Sequence, residues 1–188
     1  MEYPEYSQNR SDELALIESG APLVLPEALS QESYRLLIRM FRDPRVLEPE
    51  ERKELVVQLR CAVEQAPQVT ELRVLLGMAL CVDLQAQEAL EQLRESVRQS
   101  PDCFIAHLKF GELLMRLRIC GQAAEETHKA ALLASNTVQS DLARRQAATI
   151  RTMLREGIER GGYRGLLSSP FSFWRKSRQR GIQPVPVK

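Results

Sequence analysis

Aromatic residues make up only 5% of this 188-residue chain, with a single Trp, and there are only two His. No apolar run approaches the roughly 20 residues that a membrane-spanning helix needs; stretches such as Ala130 to Ala134 are far shorter. The N-terminus, Met1-Glu2-Tyr3-Pro4-Glu5, is acidic with no apolar run behind it, unlike a secretory signal or a basic transit peptide. There is no Cys-x-x-Cys pair, since Cys61, Cys81, Cys103 and Cys120 stand far apart and unevenly spaced along the chain. Nor is there a Gly-rich phosphate loop or a His-x-x-x-His pair. These absences exclude a membrane-spanning chain and a zinc site of standard spacing. They make the cytoplasm the expected location, with four unbridged and mostly buried thiols acting as small apolar side chains.

The rest of the composition is that of a globular domain: 44% hydrophobic and 27% charged residues. A chain of this length buries enough surface, roughly 70%, to hold one core without staples. The net charge of +1 hides a division. Residues 1–141 carry 15 Lys and Arg against 23 Asp and Glu, a balance of −8, whereas residues 142–188 carry 11 against 2, a balance of +9.

Helical periodicity dominates the pattern. Ser11 to Glu18 reads as a short helix ended by Ser19-Gly20, and Pro22 and Pro26 keep the following stretch extended. Ser30 is a suitable N-cap for a helix over 31–42, with Tyr34, Leu37, Ile38 and Phe41 on one face. Asp43-Pro44 ends it. Glu48-Pro49 opens the next helix, whose apolar stripe is Leu55, Leu59, Ala62 and Val63.

Beyond Pro67 the chain repeats itself. One fixed interval separates Pro67 from Pro101, Gly77 from Gly111, Ala89 from Ala123, Leu76 from Phe110, and Leu80 from Leu114. The copies need Gly and Ala where two helices approach closely, and Pro where the second helix must stop. The interval is a period of 34. With a large apolar residue before Gly, then Ala, then Pro, it resembles the tetratricopeptide repeat over about 68–136. Arg73 and His107 stand where that family has an aromatic, and Ser135 where it has a third Pro. The resemblance implies an all-α fold: antiparallel helix pairs stacked as a short right-handed α-solenoid. Repeats fall at about 70–103 and 104–136, with a degenerate one at about 31–67. A capping helix over 137–160 completes a helical domain of 30–160, between an N-terminal segment (1–29) and a basic, flexible tail (161–188). Leu142, Ala147, Ile150, Met153, Leu154 and Ile158 form the capping helix's apolar stripe, and Gly161-Gly162 its stop.

Chemistry-bearing constellations are scarce. His107 lies on a first helix and His128 on a second, and both read as packing or surface residues; Glu125-Glu126 reads as a solvated face. Cys81 and His107 alone can meet across neighbouring helices, without a third member. The expectation is therefore a binding protein with no catalytic residue, metal or cofactor. In tetratricopeptide arrays the first helices line a groove. The resemblance places there Glu71, Val74, Met78, Cys81 and Val82 from one copy and Ile105, Leu108, Glu112, Met115 and Arg116 from the next. Such a face suits an apolar peptide or helix of a partner protein. The chain's own N-terminal segment, its tail, or a second copy in a homodimer suits it equally. Val74 and Met78 replace the Lys and Asn with which some members clamp a peptide's terminal carboxylates. In size and groove the chain resembles small repeat-containing secretion chaperones. In the tail, Phe171, Phe173 and Trp174 precede Arg175, Lys176, Arg178 and Arg180. That run fits docking on the acidic body or on a partner, an inert solubilising tail or, as the alternative function, tethering to an anionic membrane or nucleic acid.

Overall fold

The computed structural model describes Pro26 and residues 29–158. Among these the chain is all-helical: α1 (Gln31–Arg42), a 3-10 turn (Pro44–Val46), α2 (Pro49–Gln65), α3 (Thr70–Val82), α4 (Ala86–Gln99), α5 (Phe104–Arg116), α6 (Cys120–Leu133) and α7 (Thr137–Arg155). The expected N-terminal helix over 11–18 and the tail contacts from Phe171 to Arg180 lie outside the described residues.

Local chemistry sets the helix starts. Ser30 is the N-cap of α1, its Oγ accepting from the Ser33 N–H at 3.1 Å. Ser33, itself buried, donates to Gln58 of α2 at 2.5 Å. At the head of α2 the Glu51 carboxylate accepts from the Glu48 N–H at 2.9 Å and also holds Arg39 of α1. The buried face of α1 is wider than the expected stripe. It includes Ser33, Leu36 and Met40, while Tyr34 and Phe41 are half-buried.

From α3 to α6 the repeat is geometric as well as sequential, since both ends of α5 and α6 follow the matching ends of α3 and α4 by the full period. The turns inside the pairs repeat too. Leu84 and Arg118, at equivalent positions, take left-handed φ values of 63° and 60°. The next N–H groups then reach back, Gln85 to the Leu80 carbonyl and Ile119 to the Leu114 carbonyl, both at 2.9 Å. Each helix packs on its neighbours in sequence, and α3 packs on α5 and α5 on α7 as a row of first helices. The core of fully buried leucines runs from Leu37 through Leu59, Leu72, Leu75 and Leu80 to Leu93 and Leu114.

The close approaches are where the repeat pattern puts them. A Cβ on Gly77 would lie 2.6 Å from Leu93 Cγ, and one on Gly111 2.8 Å from both Thr127 Oγ1 and Gln146 Nε2. Ala89 and Ala123 are completely buried. The two residues that replace the aromatic have partners that also repeat. Arg73 reaches Gln92 at 3.3 Å, and His107 reaches Glu126 at 2.6 Å, so equivalent positions pair with equivalent positions. A polar first-helix residue is thus matched by a polar residue on the second helix of its own pair.

The terminal helix begins at the expected Asn136 cap, whose Oδ1 accepts from the Gln139 N–H at 2.9 Å. It ends at Arg155, short of the expected Arg160. Gly157, at φ 68°, makes the stop, with the Ile158 N–H bonded to the Met153 carbonyl at 2.9 Å. Its buried face also differs from the apolar stripe. Ala143 and Ile150 are buried, Leu154 is exposed, and Gln146 turns inward to bond the Leu108 carbonyl and Thr127 Oγ1.

Candidate functional site

Where α3 and α5 run side by side, the C-terminal end of α1 and the 3-10 turn stand as a third wall and leave a pocket of about 430 Å³. That size is in the range of ordinary ligand-binding clefts. Its apolar lining comes from Met40 and Phe41 of α1, Met78, Cys81 and Val82 of α3, Leu93 of α4 and Leu113 of α5, with Pro44 and Leu84 also contributing. Arg45, Arg52, Lys109 and Arg116 supply four cations against the one carboxylate of Glu112.

Glu112 organises the α5 side. Its carboxylate accepts from Lys109 at 3.0 Å and from Arg116 at 2.7 Å. Burial pushes the carboxyl up, but the attraction of Lys109 and Arg116 outweighs it and holds Glu112 below the usual carboxylate range. On α3, burial pushes the Cys81 thiol up to about 11; Glu112 adds to this, and Arg116 and Lys109 oppose it. At neutral pH Cys81 is therefore chiefly protonated, an apolar part of the lining that reacts slowly as a nucleophile. Arg52 donates to the Leu47 carbonyl at 2.9 Å, which ties α2 to the end of the 3-10 turn.

Of the expected groove residues, Met78, Cys81, Val82, Glu112 and Arg116 come together in this pocket. Glu71 and Met115 are half-buried outside its lining. Val74, Ile105 and Leu108 are 0%, 6% and 4% exposed and belong to the core between the helices. Sequence reasoning misses Met40, Phe41, Pro44 and Arg45, because the register of 34 fails in the first helix of the degenerate repeat, and it misses Arg52, Leu84, Leu93, Lys109 and Leu113 although they lie where the register holds. An amphipathic helix stopped abruptly by Asp43-Pro44 is the one signal that its end faces something.

The pairing of Cys81 with His107 does not form. The His107 ring turns to α6 instead, with Nδ1 at 2.6 Å from Glu126 Oε2 and Nε2 at 2.9 Å from the Pro101 carbonyl. Lys129 holds the other Glu126 oxygen at 2.8 Å. The thiols are also less buried than expected: Cys61 is exposed, Cys81 and Cys103 half-buried, and only Cys120 buried. Among the described residues no group of three His, Cys, Asp or Glu is placed to hold a metal ion, and no helix is long and apolar enough to cross a membrane.

No family model and no curated protein matches the chain. Among solved structures it is similar to the complex of the TPR2AB domain of yeast Sti1 with pHSP90, at a TM-score of 0.54 and 16% identity. The match covers 77% of this chain and 54% of that one, so the chain spans about half the length of the Sti1 chain it matches. The fold is a tetratricopeptide-like α-solenoid. In that frame α3 with α4 and α5 with α6 are the two regular helix pairs, and α7 stands as the first helix of a third. The pocket lies on the row of first helices, at the end closed by α1.

Proposed function

We propose that this chain is a protein-interaction module, without catalytic activity, whose first-helix groove holds an apolar peptide or helix of a partner protein. The observation that carries the reading is the pocket itself, which combines Met78, Val82, Met40 and Phe41 with a cationic lining on the row of first helices. Methionines and an aromatic adapt to varied apolar side chains, and the cations fix orientation by selecting acidic flanks. The similar Sti1 structure is a complex with pHSP90, which supports a peptide or protein as the ligand class. Holding an apolar segment away from water is a chaperone-like task, carried out in the cytoplasm on this reading.

Peptides selected by display against the full chain test it. The expected winners carry two or three large apolar residues beside Asp or Glu, and they lose binding to a Met78→Glu, Val82→Glu variant whose helical circular dichroism is unchanged. Both positions are half-buried, so the charge lands in the pocket rather than in the core, as it would at Val74 or Leu108. Selected peptides that bind the variant as well as the parent would overturn the reading.

A further inference from the structure

The charge of the pocket discriminates between the two ends of the chain. The lining holds four cations and one carboxylate, with Lys109 and Arg116 sharing Glu112, so the balance is positive. Residues 159–188 carry seven Lys and Arg against one Glu, and such a segment is repelled. Residues 1–25 carry five Asp and Glu against Arg10 alone, and within them Asp12-Glu13-Leu14-Ala15-Leu16-Ile17-Glu18 sets apolar side chains between carboxylates. That is the chemistry the pocket selects: apolar residues for Met40, Met78 and Val82, acidic flanks for Arg45 and Arg116.

The segment is also within reach. The described chain begins α1 at Gln31 and arrives at the pocket with Met40 and Phe41, one helix length away, about 18 Å for 12 residues. The stretch between Glu18 and Ser30 spans up to about 40 Å when extended, twice what is needed to run back along α1. Tethering this closely gives an effective concentration far above that of a free peptide, so even a weak match occupies the site.

We infer that residues 11–18 of the chain's own N-terminal segment occupy the pocket in the free protein, so that a partner must displace them. This rests on the reading of the pocket as a peptide site, and it makes the acidic segment an internal competitor. Affinity for an external peptide is then lowered by the fraction of molecules in which the pocket is closed.

The full-length chain carries its own reporters. Met40 and Met78 line the pocket, Met153 lies on α7, and Cys81 lies in the pocket while Cys61 is exposed. In a Leu14→Glu, Ile17→Glu variant the Met40 and Met78 methyl resonances should move while that of Met153 stays. Alkylation of Cys81 should speed up several-fold while Cys61 keeps its rate. A synthetic peptide of residues 9–20 added to that variant should restore the parent methyl positions. If neither the methyl positions nor the Cys81 rate changes, the inference is overturned. Display-selected peptides that still shift Met78 in that case leave the pocket's role as a peptide site standing; if they too fail, that role falls with it. Cys81 protection that grows with protein concentration would also overturn the inference, because the occupant would then be a second copy.

Discussion

His107 sits where the repeat pattern expects an aromatic ring, and it keeps the packing while adding two polar contacts, to Glu126 and to the Pro101 carbonyl. Replacing it by Phe restores the expected residue but leaves the buried Glu126 with Lys129 alone. Removing one of the partners of a buried, hydrogen-bonded group costs more than the bond was worth. His107→Phe should therefore lower unfolding stability by about 1–3 kcal/mol, and the double variant with Glu126→Leu should recover most of it. Urea unfolding of the four proteins as a double-mutant cycle measures this; a single variant as stable as the parent would contradict it. Glu112 carries a pH dependence of known sign. Its carboxyl is held below the ordinary value, so the stability it contributes is present above the unfolded carboxylate pKa and is lost as pH falls through the lower folded value. As pH falls through the carboxylate range, the parent should lose stability more steeply than Glu112→Gln. Parallel acid titrations of the two proteins test it.

At the scale of elements, helix identity is readable from periodicity, while helix ends depend on contacts that single residues do not announce. Ser30, Pro49 and Asn136 mark their starts plainly, and the period of 34 carries the boundaries of α3 and α4 onto α5 and α6. The turns at Leu84 and Arg118 are not visible in sequence, because neither left-handed position holds the glycine that would signal it. A non-glycine side chain there costs on the order of 1 kcal/mol, tolerated because both neighbouring helices fix the loop. Arg118 is exposed and its side chain is not needed for the turn. Arg118→Gly should thus stabilise the chain by up to about 1 kcal/mol, after the extra entropy of glycine in the unfolded state is deducted. A fall in thermal midpoint would show that the Arg118 side chain does more than occupy the turn. The early stop of α7 has the same origin: Gly157, followed by Ile158 bonding back to Met153, ends the helix before the glycine pair that looks stronger in sequence.

Across the whole described molecule, stability is distributed between neighbours rather than around one centre. Helices touch the next helix in sequence and the next first helix in the row, so α7 covers the apolar end that α5 and α6 would otherwise expose. Ile150, 1% exposed, and the inward Gln146 make that cover. Ile150→Asp puts a charge into this contact and should cost roughly 3–5 kcal/mol. The loss of amide hydrogen-exchange protection should be concentrated in α5 to α7, with α2 and α3 least affected. Uniform loss along the array would show a single cooperative unit instead.

The sequence by itself determined helices α1 to α6 and the start of α7, the two regular pairs and their glycine contacts, because these depend on spacing within one stretch of chain. It also placed Met78, Cys81, Val82, Glu112 and Arg116 on first-helix faces. Only the tertiary structure decided that Val74, Ile105 and Leu108 face inward, because a helix lined with apolar residues on several sides does not say which side its neighbours will cover. The wall formed by Met40, Phe41 and Arg45 was likewise a tertiary outcome, since no period links α1 and the 3-10 turn to α3 and α5. The pocket exists because the non-repeating end of the chain folds against the repeating part, and such a meeting is settled by packing over distances that sequence spacing does not encode.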